Sequence, residues 1–142
     1  MRSMSPEEIR RFLLDTPRTA KFATVRPDGR PHIAPIWFDL EGEDVIFTTW
    51  HTSVKARNLA YDTRATLCVD DEKPPYAYVI LEGTVEFLNV TAEERVAWAT
   101  RIARRYMGDD LAETFGRRNG VEGEHIARLT VTKIVAHQGI TD

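Results

Sequence analysis

The stretch Thr48-Thr49-Trp50-His51-Thr52-Ser53-Val54-Lys55-Ala56-Arg57-Asn58 reads as a strand end, a tight corner and the first turn of a helix. Thr52 or Ser53 can cap that helix, because a hydroxyl accepts from one of the orphan first-turn amides. The residues after the cap run against the usual pattern. First turns favour Asp and Glu, since the N-terminal end of a helix carries about half a positive charge. This one carries Lys55 and Arg57 and no acid. The positions four residues on are Leu59 and Tyr61, so neither cation has an acidic partner along the helix. Uncompensated cations, free amides and two hydroxyls converge, and phosphate is the ligand such a helix mouth commonly takes. The competing reading leaves both side chains pointing into solvent at small cost.

Outward from this corner the chain reads mostly as strands. Upstream, Ala20 to Arg26 and Pro31 to Leu40 flank the turn Pro27-Asp28-Gly29-Arg30 and form a hairpin. Pro35 offers no ladder donor, so the second strand has an edge or a bulge there. Asp44 to Thr49 comes after the turn Glu41-Gly42-Glu43. Downstream, the helix from Ser53 ends near Asp62, and Arg64 to Val69 is a fourth strand leading into the loop Asp70 to Pro75. Tyr76 to Leu88 alternates, with Val79, Leu81, Val85 and Phe87 on one face, and Gly83 marks a kink or a close backbone approach. Ile126 to Gln138 is the last strand, with Leu129, Val131 and Val135 inward.

Helices sit at the margins. Ser5-Pro6-Glu7-Glu8 and Thr91-Ala92-Glu93-Glu94 are capping boxes, opening helices to about Leu14 and Met107. Asp109 or Asp110 starts a short helix to about Arg118, and Gly116 to Gly123 reads as a loop. The sum is a mainly β chain: six strands in hairpin connection, forming a closed or half-closed antiparallel barrel with peripheral helices.

Composition sets the outer bounds. The 142 residues suit one domain, with 42% hydrophobic and 29% charged residues and a net charge of -3, which gives no bulk attraction for nucleic acid. Cys68 is the only cysteine, which excludes an intramolecular disulfide and a cysteine-based zinc site. No apolar run reaches the length of a membrane span, and the opening Met-Arg-Ser-Met lacks the apolar core of a signal peptide, so the expectation is a soluble, cytoplasmic protein. His32, His51, His125 and His137 show no metal-ligand spacing, and no nucleophile elbow, Walker loop or dinucleotide fingerprint occurs. Trp37, Phe38, Trp50, Tyr76 and Tyr78 fall near the ends of neighbouring strands. Trp37 and Phe38 point to opposite faces, so one of them can leave the core. Aromatic and small residues beside a phosphate-ready corner suit a flat ring with a phosphate tail.

The run Asp28-Gly29-Arg30-Pro31-His32, the hairpin to Thr48-Thr49, the segment Ser53 to Leu59, then Asp62-Thr63-Arg64-Ala65-Thr66 and Leu81-Glu82-Gly83-Thr84-Val85 resemble the split-barrel flavin-binding superfamily, which includes pyridoxamine phosphate oxidase. The closer resemblance is to its branch that uses the deazaflavin coenzyme F-420, although Thr63 stands where that family usually has proline. The resemblance implies a six-stranded split β-barrel and a homodimer with two equivalent sites between subunits. It implies that Ser53, Lys55, Arg57 and Asn58 hold the cofactor phosphate. His32, Ile33, Ala34, Pro35 and Ile36, with Phe47, Thr48 and Thr49, would lie along the ring, and Pro75, Tyr76, Ala77 and Tyr78 would come from the partner chain.

Two departures weigh against pyridoxamine phosphate oxidation itself. The strand His32 to Phe38 has no arginine, and the chain ends Ala136-His137-Gln138-Gly139-Ile140 without an Arg-x-x-Pro-like motif. The implied activity is therefore hydride transfer from reduced F-420 to an electron-poor double bond of a small organic substrate, with FMN as the alternative cofactor. A binding protein without turnover is the reading from a different class. Tyr76, Tyr78 and His32 are the candidate proton donors. Arg18, Lys21, Arg26 and Arg30 form an expected positive track for the polyanionic tail of F-420.

Overall fold

The computed structural model describes residues 1–142. In chain order the elements are β1 (Arg2–Ser3), α1 (Pro6–Asp15), β2 (Ala20–Val25), β3 (Pro31–Ile36), β4 (Phe38–Glu41), β5 (Asp44–Trp50), α2 (Val54–Tyr61), β6 (Arg64–Asp71), β7 (Ala77–Phe87), α3 (Ala92–Met107), α4 (Asp109–Asn119) and β8 (Glu124–Gln138). All strand pairings are antiparallel, and the sheet runs β3-β2-β6-β7-β8-β5-β4, with β1 added on β8. The sheet curls into a half-barrel of the split-barrel type. Both capping boxes form as the sequence dictates, with Ser5 and Thr91 accepting from the amides of Glu8 and Glu94.

The count of six strands changes to eight for two reasons. One is the two-residue β1. The other is that the expected strand Pro31 to Leu40 divides at Trp37. Its first half pairs with β2 and its second half with β5, so consecutive segments occupy opposite ends of the same sheet. Covalent continuity through Trp37 brings those two ends together, and the sheet has to curl. Pro31 and Pro35 fall on β3, an edge strand with no further neighbour, where a missing amide donor costs no ladder bond.

The concave face holds the core. Phe22, Phe38, Phe47, Leu67, Val79 and Leu129 are fully buried, each side chain of this kind contributing about 1.5–3 kcal/mol. A smaller cluster, Ile46, Ile102 and Ile126, seats α3 on the convex face of β5 and β8. Arg101 and Arg105 tie α3 down: Arg101 pairs with Asp39 at 2.9 Å, and Arg105 donates to the carbonyls of Phe38 and Leu13.

Gly83 is a point of close approach, as its position mid-strand suggests. A Cβ there would lie 1.9 Å from the Thr130 carbonyl oxygen. The β7–β8 ladder slips between Glu82 and Gly83, which leaves one extra residue on β8. This bulge corrects the expected inward set of the last strand. Leu129 and Val131 pack on the core, but beyond the bulge the inward residue is Ala136, and Val135 turns to the other face.

The expected loop Gly116 to Gly123 is also corrected. Helix α4 continues to Asn119, and Gly116 is buried within it. A Cβ at Gly116 would meet Thr100 Oγ1 at 1.9 Å and Thr100 Cα at 2.7 Å, so α3 and α4 cross in contact here. Replacing Gly116 with alanine should destabilise the fold by about 1–3 kcal/mol through overpacking, read as a lower unfolding midpoint in urea with the denaturant slope unchanged.

Candidate functional site

Of the two possible caps, Ser53 is the one used. Its hydroxyl accepts from the Ala56 amide at 3.1 Å and shares a hydrogen bond with Thr49 Oγ1 at 2.7 Å. That second bond fixes the end of β5 to the start of α2. The helix is held to the sheet by Asn58, which is buried and donates from its side-chain amide to Thr24 Oγ1 at 3.0 Å. Asn58 is thus a structural strut between α2 and β2, with its amide engaged away from the helix mouth.

A cleft of about 390 Å³ opens at this mouth. Pro35 and Ile36 come from β3, Thr48 and Thr49 from β5, and Ser53 and Lys55 from the corner and α2. These are residues that the sequence placed together. Phe47 is fully buried with its ring 4.7 Å from that of Phe22, so it supports the cleft from the core without lining it. His32, Ile33 and Ala34 precede the cleft residues on β3 but are not in its wall. His32 keeps a buried Nδ1 with no hydrogen-bond partner. Burial, with the charges of Arg26 and Lys55, holds its imidazole below the ordinary range.

Lys55 and Arg57 do not both line this cleft. Two residues along an α-helix turn the side chain by about 200°, so only one can face the cleft. Lys55 does, and Arg57 is exposed outside it. The second cation of the cleft is Arg118, at the end of α4. Neither Lys55 nor Arg118 forms an ion pair. The cations that hold the fold together differ in this respect: Arg101 pairs with Asp39, and Arg128 pairs with Glu41 and Asp44.

Trp37 and Trp50, two of the aromatic residues singled out beside the corner, also line the cleft, with Ala99 and Ile102 from α3, Asn119 and Glu124, which the sequence did not point to. Trp37 is the residue that leaves the core where β3 gives way to β4, and it stacks on Tyr106 at 5.1 Å. Trp50 ends β5 with its ring edge-on to His51. Arg118, Asn119 and Glu124 arrive from distant chain, so no local pattern reveals them. The one signal for α4 is the small residue at Gly116 that lets it dock.

Pro75, Tyr76 and Ala77 lie elsewhere, in a charged cleft of about 300 Å³ with Arg2, Arg11, Arg18 and Lys73. It shares no residue with the cleft at Lys55. Tyr76 adopts a φ of 62°, unusual for a residue with a side chain. Tyr78 shares a hydrogen bond of 3.0 Å with His137 Nδ1, a phenol–imidazole pair. The expected positive track is largely neutralised. Arg18 pairs with Asp15 and Asp71, Lys21 with Asp70, and Arg30 with Asp28, leaving Arg26 donating to the Pro31 carbonyl. No group of acidic, histidine or cysteine side chains could hold a metal ion, and no helix is long and apolar enough to cross a membrane.

The model of the family described as pyridoxamine 5'-phosphate oxidase matches residues 5–138. No protein of curated function matches the chain in sequence. Among solved structures, a conserved hypothetical protein from Mycobacterium tuberculosis is 24% identical, with 96% of this chain and 86% of that one covered and a TM-score of 0.82. An F-420 reductase is 27% identical, with 88% and 94% covered and a TM-score of 0.68. A heme storage protein from Vibrio cholerae is 17% identical, with 95% and 94% covered and a TM-score of 0.71, a likeness of fold.

The geometry separates support from binding by mutation. Asn58→Ala strands the buried Thr24 hydroxyl and should cost about 1–3 kcal/mol of stability. Lys55→Ala removes no contact of the fold and should leave the thermal midpoint within about 1 °C of wild type, both read by calorimetry.

Proposed function

The chain belongs to the pyridoxamine 5'-phosphate oxidase family, and from that premise we propose that it is an oxidoreductase taking reduced F-420 at the cleft beside α2. Its substrate is a small organic molecule with an electron-poor double bond. The observation that carries this reading is the convergence of Lys55 and Arg118, neither held in an ion pair, on a cleft walled by Trp37 and Trp50. A phosphate-bearing flat ring answers both halves of that wall, the cationic and the aromatic. The likeness to an F-420 reductase supports F-420 over other ring cofactors.

The residues fit such a group. Ser53 satisfies one amide of the α2 mouth, and the remaining first-turn donors, the helix dipole and Lys55 favour an anion there. Arg118 closes the cationic side from α4. Pro35, Ile36 and the two tryptophans shield the ring from water. Bound F-420 supplies the hydride, so the protein's work is to orient and to exclude solvent. His32, which lies on β3 outside the cleft wall, Tyr76 and Tyr78 are the candidate donors of the product's proton. Tyr76 and Tyr78 lie away from this cleft in one chain, which fits a homodimer in which they reach the partner's site. FMN is the alternative occupant, since its phosphate meets the same cations, and a yellow purified protein would favour it. A carrier that binds without turnover is the third reading, favoured by the few proton-exchanging side chains in the cleft wall.

Titration with F-420 and with FMN, followed by fluorescence quenching, tests the assignment. Lys55→Ala and Arg118→Ala should each weaken F-420 binding by more than about tenfold, as loss of a charge-assisted contact does, and Arg57→Ala by less than about twofold. Equal losses at all three positions would remove the cleft as the phosphate seat.

A further inference from the structure

The cleft holds an acid as well as its two cations. Glu124 opens β8 opposite Trp50 in the ladder and lines the same cleft as Lys55 and Arg118. His51 faces it from the corner before α2, with Nδ1 3.1 Å from the carbonyl of Gly123. The charged side chains lining the cleft are therefore Lys55, Arg118 and Glu124, which leave one net positive charge. Burial holds the Glu124 carboxyl above the ordinary glutamate range, while Lys55, His51 and Thr48 draw it back.

Phosphate groups differ in the charge they bring. A phosphodiester carries one negative charge, whereas a phosphomonoester carries about 1.5 to 2 near neutral pH. A single charge is matched by the cleft as it stands. A second charge would face the Glu124 carboxylate in a half-buried site, where like charges repel more strongly than in bulk water.

We propose that Glu124 sets which phosphate the cleft accepts, admitting the phosphodiester of F-420 and disfavouring the phosphomonoester of FMN. This rests on reading the cleft as the cofactor seat. Glu124 is a specificity determinant here, acting on the charge of the ligand's linker, and takes no part in hydride transfer. Its position opposite Trp50 ties the choice of cofactor to the start of β8.

The test is a pair of ligands against a pair of proteins. Dissociation constants for F-420 and FMN are measured by fluorescence quenching at mildly alkaline pH, for wild type and Glu124→Gln. The amide keeps the shape and removes the charge. FMN should bind the variant at least about tenfold more tightly than wild type, and F-420 should change by less than about threefold. Glu124→Ala should show the same pattern, and Glu124→Asp, which retains the charge, should keep the wild-type preference. If both ligands tighten by one factor, or neither moves, the role of Glu124 is overturned while wild-type binding of F-420 leaves the cofactor seat standing. If neither ligand binds any of the proteins, the seat itself is gone and the role of Glu124 with it.

Discussion

Residues 31–41 serve both ends of one sheet, and the rest of the structure depends on that constraint. Pro31–Ile36 pairs with β2, Phe38–Glu41 pairs with β5, and Trp37 stands between them. A flat sheet cannot satisfy both pairings, because its ends would be far apart. The curl encloses Phe22, Phe38 and Phe47. It also places the end of β3 beside the end of β5, which is where the cleft opens. Trp37 is free to line that cleft because the crossing point belongs to neither ladder.

Charge organises the molecule at a second level. Arginines that fasten helices to the sheet meet carboxylates or carbonyls, as Arg101 does with Asp39 and Arg105 with Phe38 and Leu13. Partly buried charge is stable on those terms. Lys55 and Arg118 depart from them by sharing a concave wall with only Glu124 for balance. Glu124 lines the same cleft, with a carboxyl that burial pushes upward. On the proposed reading, an arrangement held slightly positive in this way selects its ligand by charge as well as by shape.

Much of this was legible in the chain because local chemistry dictates it. The capping boxes at Ser5 and Thr91, the edge position of Pro35 and the close approach at Gly83 each have a short-range physical cause. So does the cap at Ser53 with an unpartnered cation two residues on. The illegible features depend on chain brought from far away or on a phase that slips. The break at Trp37 turns on which partner each half of the strand finds. The bulge beside Gly83 reverses the facing of Val135. Arg118 and Asn119 reach the cleft because Gly116 lets α4 lie against Thr100, and Glu124 because β8 pairs with β5 opposite Trp50. Helix geometry sets Lys55 in the cleft and Arg57 outside it, and the Asn58 side-chain amide is committed to Thr24.

We propose the mouth of α2 as the seat of a phosphate held between two elements remote in sequence. A crystal structure of the protein with F-420 tests it most directly. The account predicts density for the phosphate within hydrogen-bonding distance of both the Lys55 ammonium and the Arg118 guanidinium, with the ring against Trp37 or Trp50. Phosphate found beside Arg57, or in the charged cleft at Tyr76 with the α2 mouth left empty, would contradict it.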